Sequence, residues 1–139
     1  MARLDTQIAS APLLPLEQFS VGGMYTVRGY RENASVRDNG LAGSIELRLP
    51  IYQRRRPQVR VDLAPFLDVG RSWNDDERPG SLNSSPLTLA SMGLGLRVSY
   101  ARWLQGEIYW GRRLKPIQNL GDGDLQDDGI AFRLGVRWP

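Results

Sequence analysis

Five segments of this chain alternate between apolar and polar residues with a period of two. They cover residues 41–51, 59–73, 87–100, 103–111 and 129–138, and a shorter segment from Ala2 to Ala9 shows the same pattern. Successive side chains of a β-strand point to opposite faces, so this alternation predicts strands with one apolar and one polar face. The sequence therefore predicts an all-β fold of antiparallel strands.

The two faces of these strands differ in an unusual way. The polar faces collect arginines, carboxylates and glycines, whereas the opposite faces are almost wholly aliphatic or aromatic. The connections alternate between long and short, as expected when successive hairpins open towards two compartments. Both features suit a β-barrel wall with lipid outside and a wet, ion-paired interior. One-sided alternation is also the pattern of a soluble β-sandwich, so the residues alone leave both folds open.

The composition excludes most kinds of chemistry. The chain contains neither cysteine nor histidine, which excludes disulfide scaffolds, thiolate zinc sites and every mechanism with an imidazole base. We therefore predict no enzyme activity, no catalytic residue, no metal and no cofactor. The 18 basic and 15 acidic residues are too evenly balanced to predict nucleic-acid binding. No apolar run reaches the roughly 18 residues of a spanning helix, so only strands could cross a membrane.

One long segment, residues 11–40, is neither strand nor short turn, and it contains Val27-Arg28-Gly29-Tyr30. A guanidinium is always charged and has five donors, so a buried Arg28 must meet carboxylates or carbonyls. Asp68, on the polar face of segment 59–73, is the candidate partner. The alternative is a solvated turn arginine and a separate strand-end carboxylate, because exposed ion pairs are common and weak.

Two motifs resemble a known family. The run from Phe19-Ser20-Val21-Gly22-Gly23 into Val27-Arg28-Gly29-Tyr30 resembles the lumen-folded sixth extracellular loop of the two-partner secretion transporters, the TpsB or haemolysin-activator family. Phe66-Leu67-Asp68-Val69-Gly70 resembles the family's second motif, Phe-x-Asp-x-Gly, and follows in the right order. The resemblance implies that Arg28 pairs with Asp68 inside the lumen and holds the loop there. The site residues it implies are Val27, Arg28, Gly29, Tyr30, Phe66, Asp68 and Gly70.

The resemblance also implies a function. It predicts part of a bacterial outer-membrane pore that secretes a partner polypeptide without a cofactor, in contact with outer-membrane lipid and with the machinery that inserts barrels. Residues 1–139 would be the carboxy-terminal part of the barrel domain, about six strands of roughly sixteen, with residues 11–40 as the lumen loop. The amino end is charged early and lacks a signal-peptide core. The chain also lacks the two periplasmic domains and ten further strands that the resemblance implies, and six strands cannot close around a lumen, so we expect a fragment, or a truncated reading frame, of a longer protein.

Two other functions remain open from the sequence. Another branch of the same outer-membrane superfamily, which assembles barrel proteins, uses the same loop and strand motifs. A soluble β-sandwich that binds a ligand belongs to a different class and would fold in plain buffer. The basic run Arg54-Arg55-Arg56 falls on the periplasmic side by hairpin parity, where it is either a solvated turn or a contact for phosphates.

Overall fold

The computed structural model describes residues 1–74, 85–117 and 125–138. Across these ranges the chain forms nine strands and no helix, which confirms the predicted all-β fold. The strands are β1 (Ala2–Gln7), β2 (Phe19–Val21), β3 (Ser35–Arg37), β4 (Asn39–Glu46), β5 (Leu49–Arg55), β6 (Gln58–Trp73), β7 (Leu87–Tyr100), β8 (Leu104–Arg113) and β9 (Ile130–Val136). A search of the described residues for a helix able to span a membrane finds none.

Seven strands form one antiparallel sheet in the order β1-β4-β6-β7-β8-β9, with β5 also paired to β6. The long strand β6 pairs with β7 from Val59 opposite Tyr100 to Ser72 opposite Leu87. The connections β5–β6 and β7–β8 are short and lie at one end of the sheet, which we call the short-turn rim. The connections that follow β1, β6 and β8 leave from the opposite end, which we call the long-loop rim.

The sheet has an inner face covered by residues from the 11–38 segment and an outer face that is apolar and open. Six large side chains of the outer face are each between 49 and 51 % exposed. They are Leu67, Val69, Met92, Leu94, Ile108 and Trp110. Because soluble monomers rarely expose such a continuous apolar surface, this face requires an apolar environment or a cover.

The predicted strand 41–51 differs from the structure. It contains the end of β4 and the start of β5, and between them the Leu47 N–H still donates to the Pro65 carbonyl at 3.0 Å. The register then shifts between Pro50 and Tyr52. Proline has no N–H to give to the ladder, so a bulge at this point is its usual setting. The shift places Tyr52 and Arg54 opposite Val61 and Val59, on the outer face rather than the inner one.

The segment 11–40, expected to lack strands, contains the antiparallel hairpin of β2 and β3, with Phe19 opposite Arg37. Its tip is closed by local bonds, including those from the Gly23 N–H to the Val27 carbonyl at 3.2 Å and from the Met24 N–H to Glu32 Oε1 at 2.8 Å. Gly22 and Gly23 have φ of 112° and 101°, a region that favours glycine. We call residues 19–37 the lumen hairpin, after the family loop that this segment resembles.

The hydrophobic core lies between the lumen hairpin and the inner face. Val21, Val27, Tyr30 and Leu89 form its centre, and none is more than 4 % exposed. Gly70, the last residue of the strand motif, makes this packing possible. A Cβ at Gly70 would lie 2.5 Å from Val21 Cγ1 and 2.7 Å from Val27 Cγ2. The glycine therefore allows two valines of the hairpin to rest directly on β6.

Candidate functional site

Arg28 projects from the lumen hairpin onto β6, where it meets Asp68. The Arg28 backbone N–H and Nε both donate to Asp68 Oδ2, at 3.0 and 2.8 Å, and Nη2 donates to Oδ1 at 2.8 Å. Arg28 is 6 % exposed and Asp68 is 1 % exposed. The structure thus brings together the two residues named from the sequence, in the bidentate geometry that makes arginine–carboxylate pairs strong.

Two residues of β4 complete the polar contacts of Arg28, and the sequence did not point to either. Nη1 donates to Glu46 Oε2 at 2.5 Å, and Nη2 donates to Ser44 Oγ at 2.9 Å. The Ser44 hydroxyl donates in turn to Asp68 Oδ1 at 2.6 Å. Strict alternation does place both residues on the inner face with Ala42. Whether Ser44 and Glu46 lie level with Arg28 along the strand depends on the course of the loop. The strand pattern does not specify that course.

The guanidinium also lies between two aromatic rings. Arg28 Cζ is 3.8 Å from the centre of the Phe66 ring and 4.7 Å from that of Tyr109. The two rings meet edge to face, with centres 5.8 Å apart. Gly95 leaves room for Tyr109, because a Cβ there would lie 2.3 Å from its ring. Phe66, the first residue of the strand motif, therefore contributes a cation–π contact in a water-poor environment.

The charges continue from this cluster across the inner face. Tyr109 donates to Glu46 Oε2 at 3.1 Å and accepts from Arg97 Nη1 at 2.9 Å. Arg97 Nη2 lies 2.8 Å from Glu107 Oε1, which Arg133 also contacts at 3.0 Å. An alternating series of arginines and carboxylates thus links the hairpin to β9. In this network each charge lies beside a charge of opposite sign.

Arg28 remains charged in this setting. Burial acts to lower the pKa of its guanidinium, but the hydrogen bonds and negative charge of Asp68, followed by those of Glu46, outweigh burial and raise the pKa above its ordinary value. The group is therefore a permanent cation that does not exchange protons.

Tyr30, the last residue of the loop motif, fixes the hairpin to two further strands. Its hydroxyl lies 2.8 Å from the Ala90 carbonyl of β7 and 2.7 Å from the Lys115 carbonyl beyond β8. Since one hydroxyl proton can serve only one carbonyl at a time, the two acceptors share it.

The hydroxyl also accepts from the Ala90 and Lys115 N–H groups, each at 3.3 Å. We expect Tyr30→Phe to lower the free energy of unfolding by about 1 to 2 kcal/mol, because it removes the hydroxyl bond and leaves these two N–H contacts without their acceptor. The ring would keep its place in the core, and Ala90 O would keep its bond from the Leu114 N–H. Equilibrium urea unfolding of the purified protein measures the change. A loss of about 3 kcal/mol or more, as for the deletion of an aromatic core side chain, would contradict this expectation.

Three glycines form a backbone contact between the hairpin and the sheet. Gly29, with φ of 90°, packs on Gly111 of β8, and the Gly111 N–H donates to the Gly129 carbonyl at 2.9 Å. A Cβ at Gly29 would lie 2.7 Å from Gly111 O, and one at Gly111 would lie 2.8 Å from Gly29 Cα. Gly29 was named from its motif, whereas Gly111 and Gly129 were not, because an isolated glycine in a strand gives no indication of its partner.

Arginines outside the motifs secure the same end of the hairpin. Arg113 Nε donates to the Gly29 carbonyl at 2.6 Å, and its Nη2 donates to the Asp127 carbonyl at 2.6 Å. Arg31 forms a bidentate pair with the Asp127 carboxylate at 2.6 and 2.8 Å. The turn before β9 is thus bonded to the hairpin by side chains on both sides.

The site is a cluster of ion pairs and hydrogen bonds beside two cavities. Among the residues that the structure describes, no group of three or more His, Cys, Asp or Glu side chains could hold a metal ion. Two cavities of about 490 and 250 Å³ border the hairpin. The larger lies against β9, and the smaller is lined by Arg28, Glu46, Arg97 and Glu107 among others.

Comparison with known proteins assigns the chain to a family. The family model described as haemolysin secretion/activation protein ShlB/FhaC/HecB matches residues 1–98, which is 98 of the 139 residues and includes both motifs. No curated protein and no solved structure matches. The chain belongs to the ShlB/FhaC/HecB haemolysin secretion/activation family, whose members are bacterial outer-membrane proteins of two-partner secretion.

Proposed function

We propose that this chain forms part of the wall of an outer-membrane pore that secretes a partner polypeptide, and that the lumen hairpin is a positioning element inside the pore. The observation that carries the proposal is the buried contact of Arg28 with Asp68 and Glu46. Buried ion pairs contribute little net stability. A buried cation with two carboxylates is therefore better explained by a need for one definite geometry.

The two faces of the sheet support a lipid-facing wall. The outer face exposes aliphatic and aromatic side chains along β6, β7 and β8, while the inner face carries the charged series from Arg28 to Arg133. Lipid is a suitable environment for the apolar outer face, and a water-filled interior is a suitable one for the charged inner face. A soluble sandwich would instead need a second sheet over the apolar face. The barrel-assembly branch has no observation in its favour here beyond the shared motifs.

The experiment is a secretion assay in cells that carry the complete gene and its partner. We expect Arg28→Ala and Asp68→Ala each to lower the amount of secreted partner by roughly tenfold or more. The loss of about 3 to 5 kcal/mol expected for a broken buried ion pair lowers the equilibrium constant for docking by a factor of about 100 or more. Outer-membrane fractionation should show nearly unchanged amounts of the transporter, because the strand pairs themselves are intact.

A matched control uses Arg3 and Asp5, an ion pair at 2.6 Å whose side chains are 44 and 38 % exposed. We expect Arg3→Ala to leave secretion within about twofold of the wild type, as an exposed pair contributes 0 to 1 kcal/mol. Wild-type secretion by both Arg28→Ala and Asp68→Ala would refute the positioning role.

A further inference from the structure

Five exposed arginines gather at the short-turn rim. We call them the rim arginines, and they are Arg54, Arg55, Arg56, Arg102 and Arg137. The strand register brings them to one edge: Arg55 lies opposite Gln58, the Ala101 N–H donates to the Gln58 carbonyl, and the Arg137 N–H donates to the Trp103 carbonyl. Three separate strand ends thus contribute to one basic surface.

The rim arginines have no carboxylate partner among the described residues. The sequence contains no Asp or Glu in residues 49–61, 98–106 or 133–138, which make up this rim. The carboxylates closest to these segments in the sequence are already engaged, Asp62 with Arg60 at 2.8 Å and Glu107 with Arg97 at 2.8 Å. On the inner face Arg28, Arg97 and Arg133 pair with acids, whereas the rim arginines do not, so an external anion would compensate their charge.

The basic surface is continuous with the apolar outer face. The register aligns Arg54 with Val59, Val59 with Tyr100, Tyr100 with Leu104, and Leu104 with Val136. This row therefore begins with a cation, passes through an aromatic ring and continues with aliphatic side chains. Trp103 packs edge to face on Tyr100 at 5.8 Å. Aromatic residues beside arginines are typical of the level at which lipid headgroups meet the hydrocarbon.

The bulge in β5 is what places Arg54 in this row. With strict alternation from β4, Tyr52 and Arg54 would share the inner face with Ser44 and Glu46. The register shift after Pro50 turns both residues outward, opposite Val61 and Val59. The bulge turns Arg54 towards the apolar outer face. From there its long side chain can lie along that face and extend the guanidinium to the lipid headgroups.

We propose that the short-turn rim binds the phosphodiester headgroup of an anionic glycerophospholipid of the phosphatidylglycerol type, with Arg54 and Arg102 as its main ligands. The inference rests on the proposed function, because it takes the outer face to be lipid-facing. Guanidinium groups bind phosphate oxygens in a bidentate manner, and the acyl chains would lie on Val59, Leu104 and Val136. In this orientation the short turns face the periplasmic leaflet.

The test is a calorimetric titration of the complete protein in neutral detergent with short-chain phosphatidylglycerol, short-chain phosphatidylcholine or inorganic phosphate. We expect tighter binding of phosphatidylglycerol than of the other two, and an affinity that falls as salt is added. Arg54→Gln with Arg102→Gln should weaken phosphatidylglycerol binding about 25-fold, since each arginine near an anionic surface contributes about fivefold. Arg54→Lys with Arg102→Lys keeps both charges but loses the bidentate contacts, so its affinity should fall between those of the wild type and the Gln variant.

The control is Arg71→Gln with Arg112→Gln, which removes two exposed arginines of the outer face at the long-loop rim, where they lie opposite Leu41 and Met92. This variant should bind phosphatidylglycerol as the wild type does. Equal affinity for the two lipids, equally tight binding of inorganic phosphate, or an equal loss in the control would overturn the inference. Arg28→Ala should retain the lipid preference, so failure of the secretion test is distinguishable from failure of this one.

Discussion

Replacing Arg28 by alanine is expected to lower the free energy of unfolding by about 3 to 5 kcal/mol, the cost of leaving one partner of a buried ion pair alone. Asp68 would keep the Arg28 backbone N–H and the Ser44 hydroxyl, but it would lose both guanidinium bonds. Glu46 would retain Arg48 at 2.9 Å. The damage should therefore centre on Asp68, which is almost completely buried.

Unfolding by urea in detergent or lipid vesicles measures this change, and limited proteolysis of the lumen hairpin reports whether it has left the wall. Arg28→Lys separates charge from shape: it preserves the cation but cannot supply a planar fork to Asp68 or stack between Phe66 and Tyr109. We expect it to remain clearly less stable than the wild type. An Arg28→Ala protein as stable as Arg3→Ala would mean that the pair is not buried in the membrane-inserted state.

Replacing Gly111 by alanine is expected to cost about 1 to 3 kcal/mol and to loosen the hairpin, as overpacking of a close contact does. The new Cβ would lie 2.8 Å from both Gly29 Cα and Gly29 N and 3.0 Å from Arg28 C. All three are backbone atoms, so no side chain can rotate away. The hairpin itself would have to move, and the Arg28 bonds would lengthen with it.

Gly106 is the matched control because it lies on the same strand. A Cβ at Gly106 would meet only Leu134 Cδ1, at 3.8 Å, which is an ordinary contact. We expect Gly106→Ala to leave stability and protease resistance close to wild type, while Gly111→Ala lowers both. If the two variants behave alike, the close approach of Gly29 to Gly111 is not a constraint on docking.

The strand pattern was predictable because burial imposes it. In β6 to β9 one face is apolar and the other contacts the hairpin and its polar side chains. Leu67, Val69, Met92 and Leu94 therefore alternate with smaller or polar residues, and this alternation is visible in the sequence. The pair of Arg28 with Asp68 was named through two motifs in the right order rather than through periodicity. The acidic residue alone could have been any inward carboxylate of the sheet.

Other features could not be predicted because they depend on register and on the course of the loop. Glu46 and Tyr109 reach Arg28 from strands far apart in sequence, and their heights follow only once all pairings are fixed. The strands of the lumen hairpin have three residues each, too few to show a period. The bulge after Pro50 reverses the faces of Tyr52 and Arg54, although their residue types fit either face.

The lumen hairpin is bonded within itself as well as to the sheet. The Ser20 hydroxyl meets Asn33 at 2.6 Å, the Gly22 N–H donates to Thr26 Oγ1 at 2.8 Å, and Glu32 caps the tip, all over short sequence separations. The bond from Arg28 to Asp68 spans 40 residues. Loop-closure entropy favours short closures, so the hairpin can acquire its shape first and then join the wall as a preformed piece. Much of the ordering cost would thus be met locally, and the final association would mainly restrict the side chains that reach the sheet and the turn before β9, among them Arg28, Tyr30 and Arg31.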